Sequence, residues 1–295
     1  MAHPRLGPGD LVLCAGTLPR VPLRARAAAA VAGGFAGIGL WLPDRERAHA
    51  EGLSDADVRA IVADNGLVVS DIEAITDFGP SFRGGADAAR NPTGLERRAY
   101  DVASSVGATT VTVVEGPGPP LPIGPAAEAF GLLCDRAAAH GLDVAIEFWA
   151  HSAIDAQRAV AIVTAAGRPN GGLLLDTWHA HHDLHADEAL RAAPAGSIRS
   201  VQVADVDPEM VTDYLAATMH RRRLPADGVA DLVGWIRLLD AIGSAAPLGV
   251  EVLSDDLHAA PSDEIARRAG NAMRALLAAA RASPASACNS GKGGT

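Results

Sequence analysis

The sequence predicts an α/β protein: a single domain in which eight parallel strands, each followed by helical chain, close into a (β/α)8 barrel. Three observations lead there. Short apolar or β-branched runs alternate with Ala/Arg-rich helical stretches from one end of the chain to the other. The runs number eight, the count that closes a barrel. No GxGxxG or P-loop pattern stands at a strand–helix junction, where a nucleotide-binding open sheet would carry one.

The predicted strands cover residues 11–14, 37–41, 67–72, 109–115, 143–147, 172–176, 198–205 and 248–253. Those at 109–115 and 198–205 are nearly continuous apolar runs, as expected of strands covered on both faces. Predicted helices cover 54–64, 95–106, 125–140, 154–166, 232–242 and 263–282. Ser54-Asp55-Ala56-Asp57 opens the first with a capping residue and acidic groups in the first turn. Gly66, Gly107 and Gly141 each fall between a helix and a strand, where a left-handed helix terminus favours glycine. The barrel domain is assigned to residues 1–282. The Ser/Gly/Ala-rich, aperiodic stretch 283–295 is expected to be a disordered tail.

Composition narrows the function. Hydrophobic residues make up 48% of the 295, ample for a large core. With 25 basic and 35 acidic side chains the formal charge is −10, so nucleic acid is not an expected partner. Lys292 is the only lysine, which excludes a Schiff-base or P-loop lysine from the folded domain. Cys14, Cys134 and Cys288 show no metal-finger or CxxC spacing and are expected to be reduced thiols. The longest uncharged stretch, 27–42, falls short of the about 20 apolar residues that span a bilayer. No signal-peptide pattern is seen at the N-terminus. The expectation is a cytoplasmic protein without membrane contact.

Barrel chemistry gathers at the C-terminal ends of strands, and four late strands end in oxygen-bearing side chains. These are Ala-Ile-Glu147, Leu-Leu-Leu-Asp176, Ser-Val-Gln202-Val-Ala-Asp205 and Gly-Val-Glu251. One βα unit separates each from the next, the last unit carrying a long insertion. Three carboxylates converging on one mouth repel one another unless a cation sits among them. An oxygen-rich set suits magnesium or manganese. His179 follows Asp176 closely and stands beside apolar Trp178, which suggests a walled pocket. His151 has a similar relation to Glu147, whereas His181, His182 and His185 read as an exposed polar loop. Arg223, before Leu-Pro and an Asp-Gly turn, is a candidate for holding a substrate oxygen or phosphate; at least two of Arg221, Arg222 and Arg223 are expected to be solvated charges.

These motifs resemble the sugar phosphate isomerase/epimerase family, the xylose isomerase-like TIM barrels. The resemblance rests on Glu147, Asp176-Thr177-Trp178-His179, Val201-Gln202-Val203-Ala204-Asp205, Arg223-Leu224-Pro225-Ala226-Asp227-Gly228 and Gly249-Val250-Glu251. It covers the second half of the chain, the first half agreeing in layout only. It implies one divalent metal ion held by Glu147, Asp176, residue 202 and Glu251. The family pattern has histidine where this chain has Gln202, a neutral oxygen donor that favours Mn2+ or Mg2+ over Co2+ or Zn2+. The usual proline-glycine turn reads Pro225-Ala226 here.

The activity so implied is isomerisation or epimerisation of a sugar, sugar phosphate or cyclitol, by proton abstraction next to a carbonyl through a metal-stabilised enediolate. Glu147 and Glu251 are the expected acid/base pair and His179 a proton donor, with His151, Trp178 and Arg223 binding substrate. A dehydratase acting on a keto-cyclitol or dehydroshikimate-like substrate is the nearest alternative, with a non-catalytic sugar-binding barrel the alternative of a different class. Family members often assemble as homo-oligomers, which is the expectation for partners beyond the small-molecule carbohydrate.

Overall fold

A computed structural model describes residues 5–76, 78, 91–209 and 212–282. The stretch 283–295, with Cys288 and Lys292, lies outside the described residues. Eight strands form a closed barrel in sequence order, every neighbouring pair parallel. They are β1 (Leu11–Leu13), β2 (Gly37–Trp41), β3 (Val68–Ile75), β4 (Thr110–Val114), β5 (Asp143–Glu147), β6 (Gly171–Asp176), β7 (Ile198–Val203) and β8 (Leu248–Val250).

The outer layer holds α1 (Leu23–Gly33), α2 (Leu42–Ala50), α3 (Asp55–Asp64), α4 (Gly94–Val106), α5 (Ile123–Ala138), α6 (Ala156–Ala166), α7 (Thr177–His181), α8 (Ala186–Ala192), α9 (Tyr214–His220), α10 (Leu232–Ala241), α11 (Asp255–His258) and α12 (Ser262–Arg281). Ser54 caps α3 as its sequence indicates: its hydroxyl accepts from the Asp57 amide while the Asp57 carboxylate accepts from the Ser54 amide. Gly66, Gly107 and Gly141 all have positive φ at helix ends.

Helices α1 and α2 have no counterpart in the sequence pattern. The α1 sequence, Leu-Arg-Ala-Arg followed by an alanine run, lacks the apolar periodicity that marks a helix face. It is anchored instead by the buried Arg26, whose guanidinium donates two hydrogen bonds to Asp44 of α2. No turn residue separates α2 from β2, so the boundary carries no punctuation in the sequence. The bottom and walls of the barrel are apolar: Ile38, Ile72, Val113, Ile146, Leu175 and Val250 are all fully buried. Polar burial concentrates at the other rim.

Candidate metal centre and active site

Each predicted strand-end group lies at the C-terminal rim. Glu147 ends β5, Asp176 ends β6 and also caps α7, Gln202 stands on β7 paired with Asp176 and Gly249, and Glu251 directly follows β8. Asp176 is fully buried, and its Oδ1 accepts the amides of Trp178 and His179. This cap turns α7 so that His179 faces back into the mouth. The His179 Nε2 lies 3.4 Å from Glu147 Oε1 and 3.8 Å from Asp176 Oδ2. Glu147, Asp176 and His179 each offer a ligand atom within 4.8 Å of the other two. On its far side His179 Nδ1 is 2.7 Å from the Tyr214 hydroxyl.

Two of the three arginines, Arg221 and Arg223, are partly exposed, as the sequence suggests. Arg223 donates to Asp207, at 2.6 and 3.1 Å, outside the main cavity. Arg222 is the one that enters: its Nη1 lies 2.6 Å from Asp176 Oδ2 and 3.4 Å from Glu251 Oε2, and its guanidinium also donates to Thr218. The backbone explains the choice. Arg221 bridges to Ser254 and Arg223 to Asp205 in antiparallel fashion, so the segment is extended and successive side chains alternate. One parity must face inward, and the sequence does not say which.

His151 and Trp178, expected to bind substrate, both stand back from the cavity. His151 is exposed and packs edge-on against Tyr214. Trp178 is buried behind the site, with the Arg222 guanidinium over its ring at 5.5 Å. Neither lines the cavity of about 700 Å³ at this rim, whose wall includes Glu73, Glu147, Trp149, His179, Arg222 and Glu251.

Glu73 escapes the sequence pattern because the predicted third strand stops at residue 72; the strand runs on to Ile75. Its Oε2 accepts the Trp41 indole N–H at 2.9 Å and its Oε1 accepts from the Gln202 amide nitrogen. Asp71, two residues earlier on the same strand, is buried as well.

Burial governs the electrostatics. It pushes the Glu251 carboxyl up to about 8, against the pull of Arg222 and with help from Asp176 and Glu147. Glu73 is raised well above the usual carboxylate range by burial and by Glu251, and Asp71 is pushed up to about 6 by burial. For Asp176, burial is outweighed by Arg222 and His179, which hold its carboxyl below the usual range. Burial and the Asp176 charge raise the Tyr214 hydroxyl, which therefore stays protonated. Such a crowd of carboxylates is what a divalent cation relieves. One further atom points the same way: Gln202 Oε1 is buried and has no hydrogen-bond partner, an acceptor left over for a hard cation. The donor set thus fits a metal ion.

Residues 26–276 match the family model for the xylose isomerase-like TIM barrel. The chain belongs to this family. Among relatives of this xylose isomerase-like barrel, the 3-dehydroshikimate dehydratase of Pseudomonas aeruginosa is 32% identical over 257 residues, which cover 85% of this chain and 38% of that protein. This barrel therefore spans well under half the length of that relative. An inosose isomerase of Bacillus velezensis is 27% identical over 154 residues, covering 51% of this chain and 54% of the isomerase. Among solved structures, the IOLI protein with a bound zinc atom superposes with a TM-score of 0.79 at 18% identity, covering 92% of this chain and 98% of that one. The relatives are enzymes, and no described helix is long and apolar enough to cross a membrane.

Proposed function

We propose that this barrel is a divalent-metal-dependent dehydratase that removes water from a keto-cyclitol of the 3-dehydroshikimate kind. Identity to the P. aeruginosa dehydratase over most of this chain supports the substrate class. The observation that carries the reaction type is the placement of His179, with Nε2 beside Glu147 and Nδ1 against Tyr214. Carboxylates around Nε2 favour the tautomer with its proton there, and Tyr214 then donates to Nδ1. An acid and a base so stand side by side in one cleft.

A divalent ion held by Glu147, Asp176, Gln202 and Glu251, Mn2+ or Mg2+ by its oxygen donors, would polarise the substrate carbonyl and stabilise charge developing on its oxygen. Glu147 takes the proton from the carbon next to the carbonyl, breaking the C–H bond. His179 gives its Nε2 proton to the β-hydroxyl as the C–O bond breaks, so hydroxide leaves as water and a C=C bond forms. Proton return from Glu147 to His179, directly or through solvent, resets the site. Arg222 holds Asp176 and Glu251 in place, and the Trp149 ring walls the cavity against water.

Isomerisation or epimerisation is the second reading, favoured by one observation: Glu147 and Glu251 both line the cavity from strands three positions apart in the barrel. The deciding assay supplies 3-dehydroshikimate, ketoses and cyclitols to Mn2+- or Mg2+-loaded protein in deuterated water. Loss of water from the first gives a conjugated product absorbing in the ultraviolet. Deuterium at a carbon next to the carbonyl without water loss indicates the second reading. No turnover and no deuterium uptake with any substrate would overturn both and leave a sugar-binding barrel.

A further inference from the structure

A glutamine amide has a donor end and an acceptor end, and a metal ion takes only the acceptor. We propose that Glu73 is the positioning residue that fixes the Gln202 amide so that its oxygen serves as a metal ligand. The inference rests on the metal-centre reading.

Glu73 belongs to β3 and Gln202 to β7, four strands apart in either direction around the closed barrel. Their hydrogen bond crosses the full width of the mouth. On β3 the pairing register with β4 shifts between Ile72 and Ile75, and such irregularities re-aim the side chain at the shift. Trp41, paired with Glu73 in the β2–β3 register, secures its other oxygen with an N–H that can only donate. Glu73 Oε1 accepts from the NH2 end of Gln202. With Glu73 ionised beside a bound cation, rotation of the amide would set oxygen against oxygen. Gln202 Oε1 consequently points away from Glu73, and it is buried without a partner. The hydrogen bond also draws electron density toward that oxygen, as outer partners do for metal-bound imidazoles.

The test is Mn2+ titration of metal-stripped wild type, Glu73→Gln, Glu73→Asp, Gln202→Ala and the Glu73→Gln/Gln202→Ala double variant, followed by calorimetry. A glutamine at 73 keeps its oxygen for Trp41 and turns an NH2 toward Gln202, which then flips; affinity should fall about 10- to 100-fold. Aspartate keeps the charge and loses the reach, so its affinity should fall as well. In the Gln202→Ala background, Glu73→Gln should change affinity by less than about twofold, because nothing remains to orient. Metal-free melting temperatures report folding separately. Wild-type affinity in either Glu73 single variant, or an undiminished Glu73→Gln loss in the Gln202→Ala background, overturns the inference while sparing the metal centre. Absence of Mn2+ binding by wild type overturns the metal centre itself, and this inference with it.

Discussion

His179 and Tyr214 are joined through Nδ1 and the phenol hydroxyl at 2.7 Å, and the Tyr214 ring is itself stacked on Trp149 with centroids 5.3 Å apart. The histidine ring is thereby held in one orientation by two residues that themselves line the cavity. Removing the hydroxyl in Tyr214→Phe should lower kcat about tenfold with little change in KM, the value of one buried hydrogen bond. Replacing the acid itself in His179→Ala should cost about 10²- to 10⁴-fold. Steady-state kinetics on the substrate found by the panel assay distinguishes the two.

Arg222 is ion-paired with Asp176 and Glu251, and it is almost completely buried. Arg222→Met leaves these carboxylates uncompensated and should destabilise the metal-free protein by roughly 3–5 kcal/mol. Urea unfolding measures the loss. Mn2+ should restore part of it, since the ion supplies the charge that the side chain no longer does.

The barrel and the strand-end quartet are legible in the amino-acid sequence because both follow simple rules: a period of strand and helix, and polar residues closing apolar runs. Glu147, Asp176, Gln202 and Glu251 each satisfy the second rule on their own. Arg222 and Glu73 obey no such rule. Arg222 is distinguished from Arg221 and Arg223 only by the parity of an extended segment, fixed through pairing with residues 205 and 254. Glu73 lies past the apparent end of its strand, where a register shift carries β3 onward. Both depend on contacts between distant parts of the chain, which local pattern does not encode.

Asp71 gives a pH prediction. Its carboxyl is raised to about 6 in the folded protein from the ordinary 3.8, with burial as the leading cause. The folded state therefore binds the proton more tightly, and stability is lost as pH rises from about 4 through 6. Asp71→Asn removes that titration. In metal-free protein the variant should gain on wild type across this interval, reaching about 3 kcal/mol above pH 7, with no gain from titration below pH 4. Denaturant unfolding at a series of pH values follows the difference.

Ala226 offers a stabilising change. It adopts φ of 73°, a conformation that L-residues other than glycine enter at a cost. The turn is held there by Asp205, whose carboxylate accepts the amides of Ala226, Gly228 and Ala230. Ala226→Gly should raise stability by about 0.5–1 kcal/mol, visible as a higher melting temperature. Gly228→Ala should do the opposite, because a Cβ there would meet the Val206 carbonyl oxygen at 2.2 Å.

Closure of the barrel has a consequence for how the chain reaches its native state. β1 pairs with β2 on one edge and with β8 on the other, so the first strand made is completed by the last. Until residues 248–250 leave the ribosome, Leu11–Leu13 presents an open edge to the surrounding solution. Glu251 arrives in the same step. The final carboxylate of the rim thus joins the others only when the ring is shut, and a nascent or truncated chain holds most of the scaffold with none of the finished centre. The long-range pairing that seals the cylinder is also the event that completes the candidate centre.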